Sequence, residues 1–127
     1  MQTLPRWRQL RFLQLDRTDM HRHDAIIASL AASLPRCSKL SHLQLSQCQL
    51  RDEHLVALCL GLRQASSLRT LYLAGNCLLR ERGAHALMEA VLFNRSLRQI
   101  DLRGCDRRAL RPLHALQLRL LQLRVLQ

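Results

Sequence analysis

Hydrophobic and polar positions alternate along this chain in short bursts that return at regular intervals. The pattern L-x-x-L-x-L stands at Leu10-Leu13-Leu15, Leu40-Leu43-Leu45 and Leu68-Leu71-Leu73, and returns as Leu97-Ile100-Leu102. Successive starts are 30, 28 and 29 residues apart. Side chains two residues apart share one face of an extended chain, so each burst predicts a short strand with one face buried and the other exposed. Between bursts the apolar spacing changes to three and four, the period of a helix. Asp24 is placed to cap a helix over 25–34, with Ile26, Leu30 and Leu34 on one face and Pro35 to end it. Asp52 is placed to cap 53–64, where Leu55, Leu58, Cys59 and Leu62 make a stripe. A third helix is expected over 81–93 on Ala84, Leu87, Met88 and Val91, with Gly83 allowing close helix approach.

Three residues after each burst stand Thr18, Cys48, Asn76 and Cys105, and two further on Met20, Leu50 and Leu78; the fourth unit has Arg107 there and departs from the pattern. A chain leaving a strand must turn sharply, and its backbone groups then need new partners. The Asn76 amide can supply them, and Thr18, Cys48 and Cys105 offer weaker versions. In phase, these positions resemble the leucine-rich repeat, L-x-x-L-x-L-x-x-N/C-x-L. The repeat length is similar to that of the ribonuclease-inhibitor type, as in NOD-like receptor repeats. The resemblance implies an α/β leucine-rich repeat solenoid, a horseshoe segment of about four repeats with short parallel strands inside and helices outside.

The repeats are expected over residues 1–106, in units near 4–34, 35–64, 65–94 and 95–106. Trp7 and Leu4 are placed to close the first unit. Residues 107–127 read as a degenerate basic repeat or a cut end: Leu113-Leu116-Leu118 and Leu118-Leu121-Leu123 match the burst but come too soon for another full unit, and Leu116, Leu118 and Leu120 alternate as in a strand.

Composition agrees with a repeated packing unit. Thirty-one of 127 residues are Leu, while Trp7, Phe12, Tyr72 and Phe93 are the only aromatics. The N-terminal MQTLPRWRQLRF is charged and interrupted by Pro, unlike a secretory leader, and a cytoplasmic or nuclear location is expected. The five Cys residues contain no C-x-x-C pair, so buried thiols are expected in place of a metal site or disulfide framework, with Cys77 the exposed one. His21-x-His23-Asp24 precedes a helix, where polar residues are ordinary, and no metal or other cofactor is expected. No nucleophile elbow, P-loop or dinucleotide fingerprint occurs, so no catalytic residue is assigned and the chain is not expected to be an enzyme.

The exposed strand positions define the candidate binding site. They form three rows: Phe12, His42, Thr70 and Gln99; Gln14, Gln44, Tyr72 and Asp101; and Asp16, Ser46, Ala74 and Arg103. Of these, Phe12, Gln14, His42, Gln44, Thr70, Tyr72, Gln99, Asp101 and Arg103 are expected to contact a partner, with a basic rim at Arg11, Arg69 and Arg98. The resemblance implies a protein partner on this concave face, in a regulatory or receptor-like role. A net charge of +11 favours a partner that is acidic. Nucleic acid is the less favoured partner, since residues 95–127 hold eight Arg but no aromatic to stack bases. No membrane partner is expected, because no apolar run reaches the ~20 residues of a span. A third alternative is a fragment of a longer repeat protein.

Overall fold

A computed structural model describes residues 8–109, 111 and 124–126, and among them lie five short strands and three α-helices of ten or more residues, one after each of the first three strands. Strand β1 (Phe12–Gln14) leads to α1 (Asp24–Ser33) and a 3-10 turn at Leu34–Arg36; β2 (His42–Gln44) leads to α2 (Asp52–Leu62). Then come β3 (Thr70–Tyr72), α3 (Glu81–Phe93), β4 (Gln99–Asp101) and β5 (Arg124–Leu126). The strands form one sheet in chain order, all parallel. The central residue of each rung faces the core: Leu43, Leu71, Ile100 and Val125 are buried, and Leu13 of the first strand is half-buried against it.

The helices lie against one another and close the other side of a single apolar core. Every unit contributes equivalent residues to it, such as Leu45 with Leu73 and Leu102, and Leu55 with Ala84. Four of the five Cys residues join it as small apolar side chains, and Cys77 is exposed. Burial pushes the Cys59 thiol up to about 12, so it stays protonated and inert.

The turn after each of the first four strands has a common geometry. Arg17, Gln47, Gly75 and Gly104 occupy equivalent places and all have positive φ, at 62°, 55°, 75° and 80°. The amides there continue the ladder between repeats, with Arg17 N donating to Ser46 O, Gln47 N to Ala74 O and Gly75 N to Arg103 O. Glycine meets this conformation without strain, while Arg17 and Gln47 are held in it by the ladder.

Asn76 sits fully buried at the bottom of the third turn. Its Oδ1 accepts from the N–H groups of Cys48 (3.0 Å) and Leu50 (3.1 Å), and its Nδ2 donates to the carbonyls of Leu45 (2.9 Å) and Leu73 (2.8 Å). All the capacity of the amide is used, and three of its four bonds tie this repeat to the one before. The thiols at the equivalent position do a reduced version of this: Cys48 Sγ donates to Leu15 O and Cys105 Sγ to Leu73 O.

Three expectations are corrected. Leu78, read as the apolar residue of the third turn, is exposed, and Leu79 is buried in its place. The third repeat is one residue longer than the second, and the extra residue is taken up between Asn76 and the helix. Leu50 and Leu79 both stand two residues before a helix, at Asp52 and Glu81. Asp24 and Asp52 do not cap their own helices, whose N-cap residues are His23 and Arg51. Each carboxylate instead reaches the next repeat, Asp24 to His54 Nε2 (2.8 Å) and Asp52 to Arg80 N (2.7 Å). The helix starts lie side by side, and the neighbour's donors are the better placed ones.

The fifth strand was not anticipated at Arg124–Leu126. Val125 takes the place of Ile100 in the sheet, but Gln122 and Gln127 stand where Leu97 and Leu102 stand in the fourth unit. With that pattern lost, apolar periodicity could not reveal the strand. Leu4 and Trp7 at the N-terminus, and the bursts at Leu113–Leu123, lie outside the described residues.

Candidate functional site

The exposed positions of the rungs come together as the sequence spacing requires. Phe12, His42, Thr70, Gln99 and Arg124 align across the sheet, and Gln14, Gln44, Tyr72, Asp101 and Leu126 form the adjacent row. The aromatic side chains cross from one row to the next. Phe12 stacks on His42 with ring centroids 5.5 Å apart, and His42 stacks on Tyr72 at 6.4 Å. The result is a diagonal run of three rings over three strands. Phe12 is 47% exposed at the first strand, while His42 and Tyr72 are half-buried. Gln14, Gln44, Thr70 and Gln99 flank the run with amides and a hydroxyl.

His42 is oriented from below. Ser41 Oγ lies 3.0 Å from the carbonyl of Arg11 and 2.8 Å from His42 Nδ1. A carbonyl can only accept, so the single hydroxyl proton goes to Arg11 O and His42 Nδ1–H donates to Oγ. Ser41 therefore fixes both the tautomer and the ring.

Asp101 departs from expectation. Read as an exposed partner contact, it is only 3% exposed. β5 lies beside it, and Arg103 covers its carboxylate with Nε on Oδ1 (3.0 Å) and Nη2 on Oδ2 (2.8 Å). This two-point clamp, foremost the side-chain bond to Arg103, holds the Asp101 carboxyl below the usual range. Asp101 is thus engaged within the fold, while the Arg103 side chain is two-thirds exposed above it. In the same row Asp16 accepts from Ser46 N (2.8 Å) and Gln14 Nε2 (3.1 Å).

The rim forms a line. Ser41 N donates to Arg11 O, Arg69 N to Ser41 O, Arg98 N to Arg69 O and Arg124 N to Arg98 O, so backbone bonds extend the ladder one residue ahead of the strands. The side chains of Arg11, Arg69 and Arg98 are exposed there. Among the described residues no group of three or more His, Cys, Asp or Glu is arranged to hold a metal ion.

Two buried polar residues escaped the sequence reading. Asn94, after α3, donates to the carbonyls of Leu62 and Ala65 and accepts from the amides of Ser96 and Leu97. His54 joins α1 to α2. Neither lies in the L-x-x-L-x-L pattern, and only their burial marks them.

The comparisons agree with this geometry. A family model described as Leucine Rich repeat matches residues 36–59, from the 3-10 turn through β2 into α2. The chain is built as a leucine-rich repeat solenoid. Its structure is similar to that of leiomodin-1 actin-binding site 2, with a TM-score of 0.79 at 15% identity, over 95% of this chain and 74% of that one. No curated protein matches it in sequence.

Proposed function

We propose that this leucine-rich repeat chain is a non-catalytic protein-interaction module of the ribonuclease-inhibitor type, binding its partner on the open face of the sheet. The repeat type is supported by units of 28–30 residues that pair a three-residue strand with a helix of 10 to 13 residues. The observation that carries the binding reading is the stacked run Phe12–His42–Tyr72 across three strands paired in register. Aromatic side chains held this way lose little freedom on binding, and a rigid surface keeps the ordering cost of association low. Gln14, Gln44, Thr70 and Gln99 then provide polar selection around an apolar centre.

The similar leiomodin-1 segment carries actin binding in its name, which makes actin the first candidate to test. Affinity purification with the full chain is compared with Phe12→Ala plus Tyr72→Ala, and actin co-sedimentation is run on both. A partner captured by the original chain should be lost at least tenfold by the double variant while its melting temperature holds. Undiminished capture by a folded double variant overturns the proposed face.

A further inference from the structure

A groove of about 420 Å³ opens beside the third and fourth rungs, where α2 and α3 end and β3 and β4 begin. Arg63, Arg69, Arg95 and Arg98 line it, with Phe93 and Asn94, and no acidic residue is among its walls. We propose that this groove binds an acidic peptide segment carrying an apolar side chain, a second contact surface beside the sheet face of the proposed interaction module.

The argument begins with where the carboxylates are. The chain has nine acidic residues, and all nine lie among those described. Glu89 takes Arg63, Asp101 takes Arg103, Asp106 takes Arg80 and Asp19 takes Arg22. None pairs with Arg69, Arg95 or Arg98. The one side-chain bond among these three runs from Arg98 Nη1 to the carbonyl of Arg95 (3.1 Å), which draws the two arginines together and neutralises neither. Three like charges on one small concave surface repel each other, and an anion placed between them removes that cost. Guanidinium forks match carboxylate geometry in two-point contacts, as Arg103 and Asp101 show in this chain.

The floor is rigid. Asn94 spends its amide on the carbonyls of Leu62 and Ala65 and on the amides of Ser96 and Leu97, so the loop bearing Arg95 and Arg98 is anchored to the preceding repeat. Phe93 is 66% exposed at the groove and offers an apolar contact. Its ring face carries the Arg63 guanidinium at 5.3 Å, itself held by Glu89 (3.1 Å). Phe93 is the one aromatic ring in the groove and Arg63 covers one of its faces, so a run of bases finds no row of rings to stack on. A peptide can set an apolar side chain against the exposed part of Phe93 and its carboxylates on the three guanidiniums that no carboxylate of this chain engages.

Fluorescence anisotropy on the full chain tests this with a labelled peptide of alternating Glu and Leu, its Gln–Leu counterpart and a single-stranded oligonucleotide of similar length. The Glu peptide should bind and weaken as salt rises; the Gln peptide should not bind. Arg69→Gln plus Arg98→Gln should weaken binding at least tenfold. Arg107→Gln plus Arg108→Gln, which removes the same charge elsewhere, should change it less than twofold. Equal losses from the two pairs, or an oligonucleotide that binds more tightly than the Glu peptide, would overturn the proposal. Phe12→Ala plus Tyr72→Ala should leave peptide binding unchanged, so failure here and failure of the sheet-face reading are told apart.

Discussion

His54 Nε2 donates to Asp24 Oδ1 across 2.8 Å, joining the first turn of α2 to the first turn of α1. The assignment of the proton follows from the other ring nitrogen. Nδ1 accepts the backbone N–H of Arg51 at 2.9 Å, so the hydrogen sits on Nε2. One buried ring thus satisfies an unpaired helix-start donor and ties two repeats together.

The two partners of that bond are unequal. The His54 side chain is 6% exposed and that of Asp24 79%. Removing Asp24 leaves the His54 Nε2–H at a place open enough for water to replace the exposed carboxylate, whereas replacing His54 by Leu fills the space and strands the Arg51 amide. His54→Leu should cost about 1–3 kcal/mol and Asp24→Ala under about 1 kcal/mol. Urea denaturation of both variants checks the order; equal losses would place the worth of His54 in its hydrogen bond to Asp24 alone.

Asn76 and Cys48 allow one turn position to be compared in two chemistries. Asn76→Ala would leave two amides and two carbonyls of the core without their partner, a loss of about 3–5 kcal/mol. Asn76→Cys should recover part of it, because Cys48 and Cys105 show that a thiol at this place reaches the carbonyl of the preceding repeat. It cannot recover the amide side, since a thiol offers little to the N–H groups of Cys48 and Leu50. Cys48→Asn is the complementary change. Chemical denaturation should rank the position-76 variants Asn, Cys, Ala.

These contrasts show where sequence reasoning reaches. The rungs were legible because strand alternation leaves one solution for which face is buried, and the in-phase recurrence of Leu43, Leu71 and Ile100 aligns them. The Phe12, His42 and Tyr72 positions follow from the same alternation. What escaped depends on groups that meet across repeats. Nothing local distinguishes an Asp24 that caps its own helix from one that bonds His54 in the next. Nor does alternation show that Asp101 is covered, since its burial comes from Arg103 and from β5, whose own pattern is broken. The groove arginines come from two separated stretches, and only the fold brings Arg63 beside Arg95.

Helix contact at Gly61 gives a prediction that opposes local propensity. A Cβ at this residue would run into the backbone carbonyl of Ala31 on α1. Alanine is better than glycine inside a helix by about 1 kcal/mol, yet Gly61→Ala should lower the melting temperature, because α1 and α2 would have to separate. At Gly83 the added Cβ would meet Asp52 Oδ1 at 2.6 Å, a side-chain atom that can move. Gly83→Ala should therefore be milder, with its loss confined to the bond from Arg80 N to Asp52. A thermal melt showing Gly61→Ala as the less harmful change would refute the backbone contact.

The clamp on Asp101 predicts a pH dependence of known sign. Its carboxyl lies below the ordinary range in the folded chain, first because of the Arg103 side-chain bond. In the unfolded chain it titrates near the usual ~3.9. Between those two values the unfolded state holds the proton and the folded state does not, so stability rises with pH through that window. The contribution is fully present above the unfolded value and lost as the pH falls through the folded one. Asp101→Asn abolishes the charge at every pH. The gap in unfolding free energy between the original chain and Asp101→Asn should thus be open at pH 7 and narrow below pH ~3.9. Arg103→Gln, which leaves Asp101 buried without its fork, should lose more at pH 7 than at pH 3 for the same reason. Denaturation in urea at the two pH values reads both differences. A gap that stays constant from pH 7 to pH 3 would mean that packing of β4 against β5, and not the ion pair, is what Asp101 contributes.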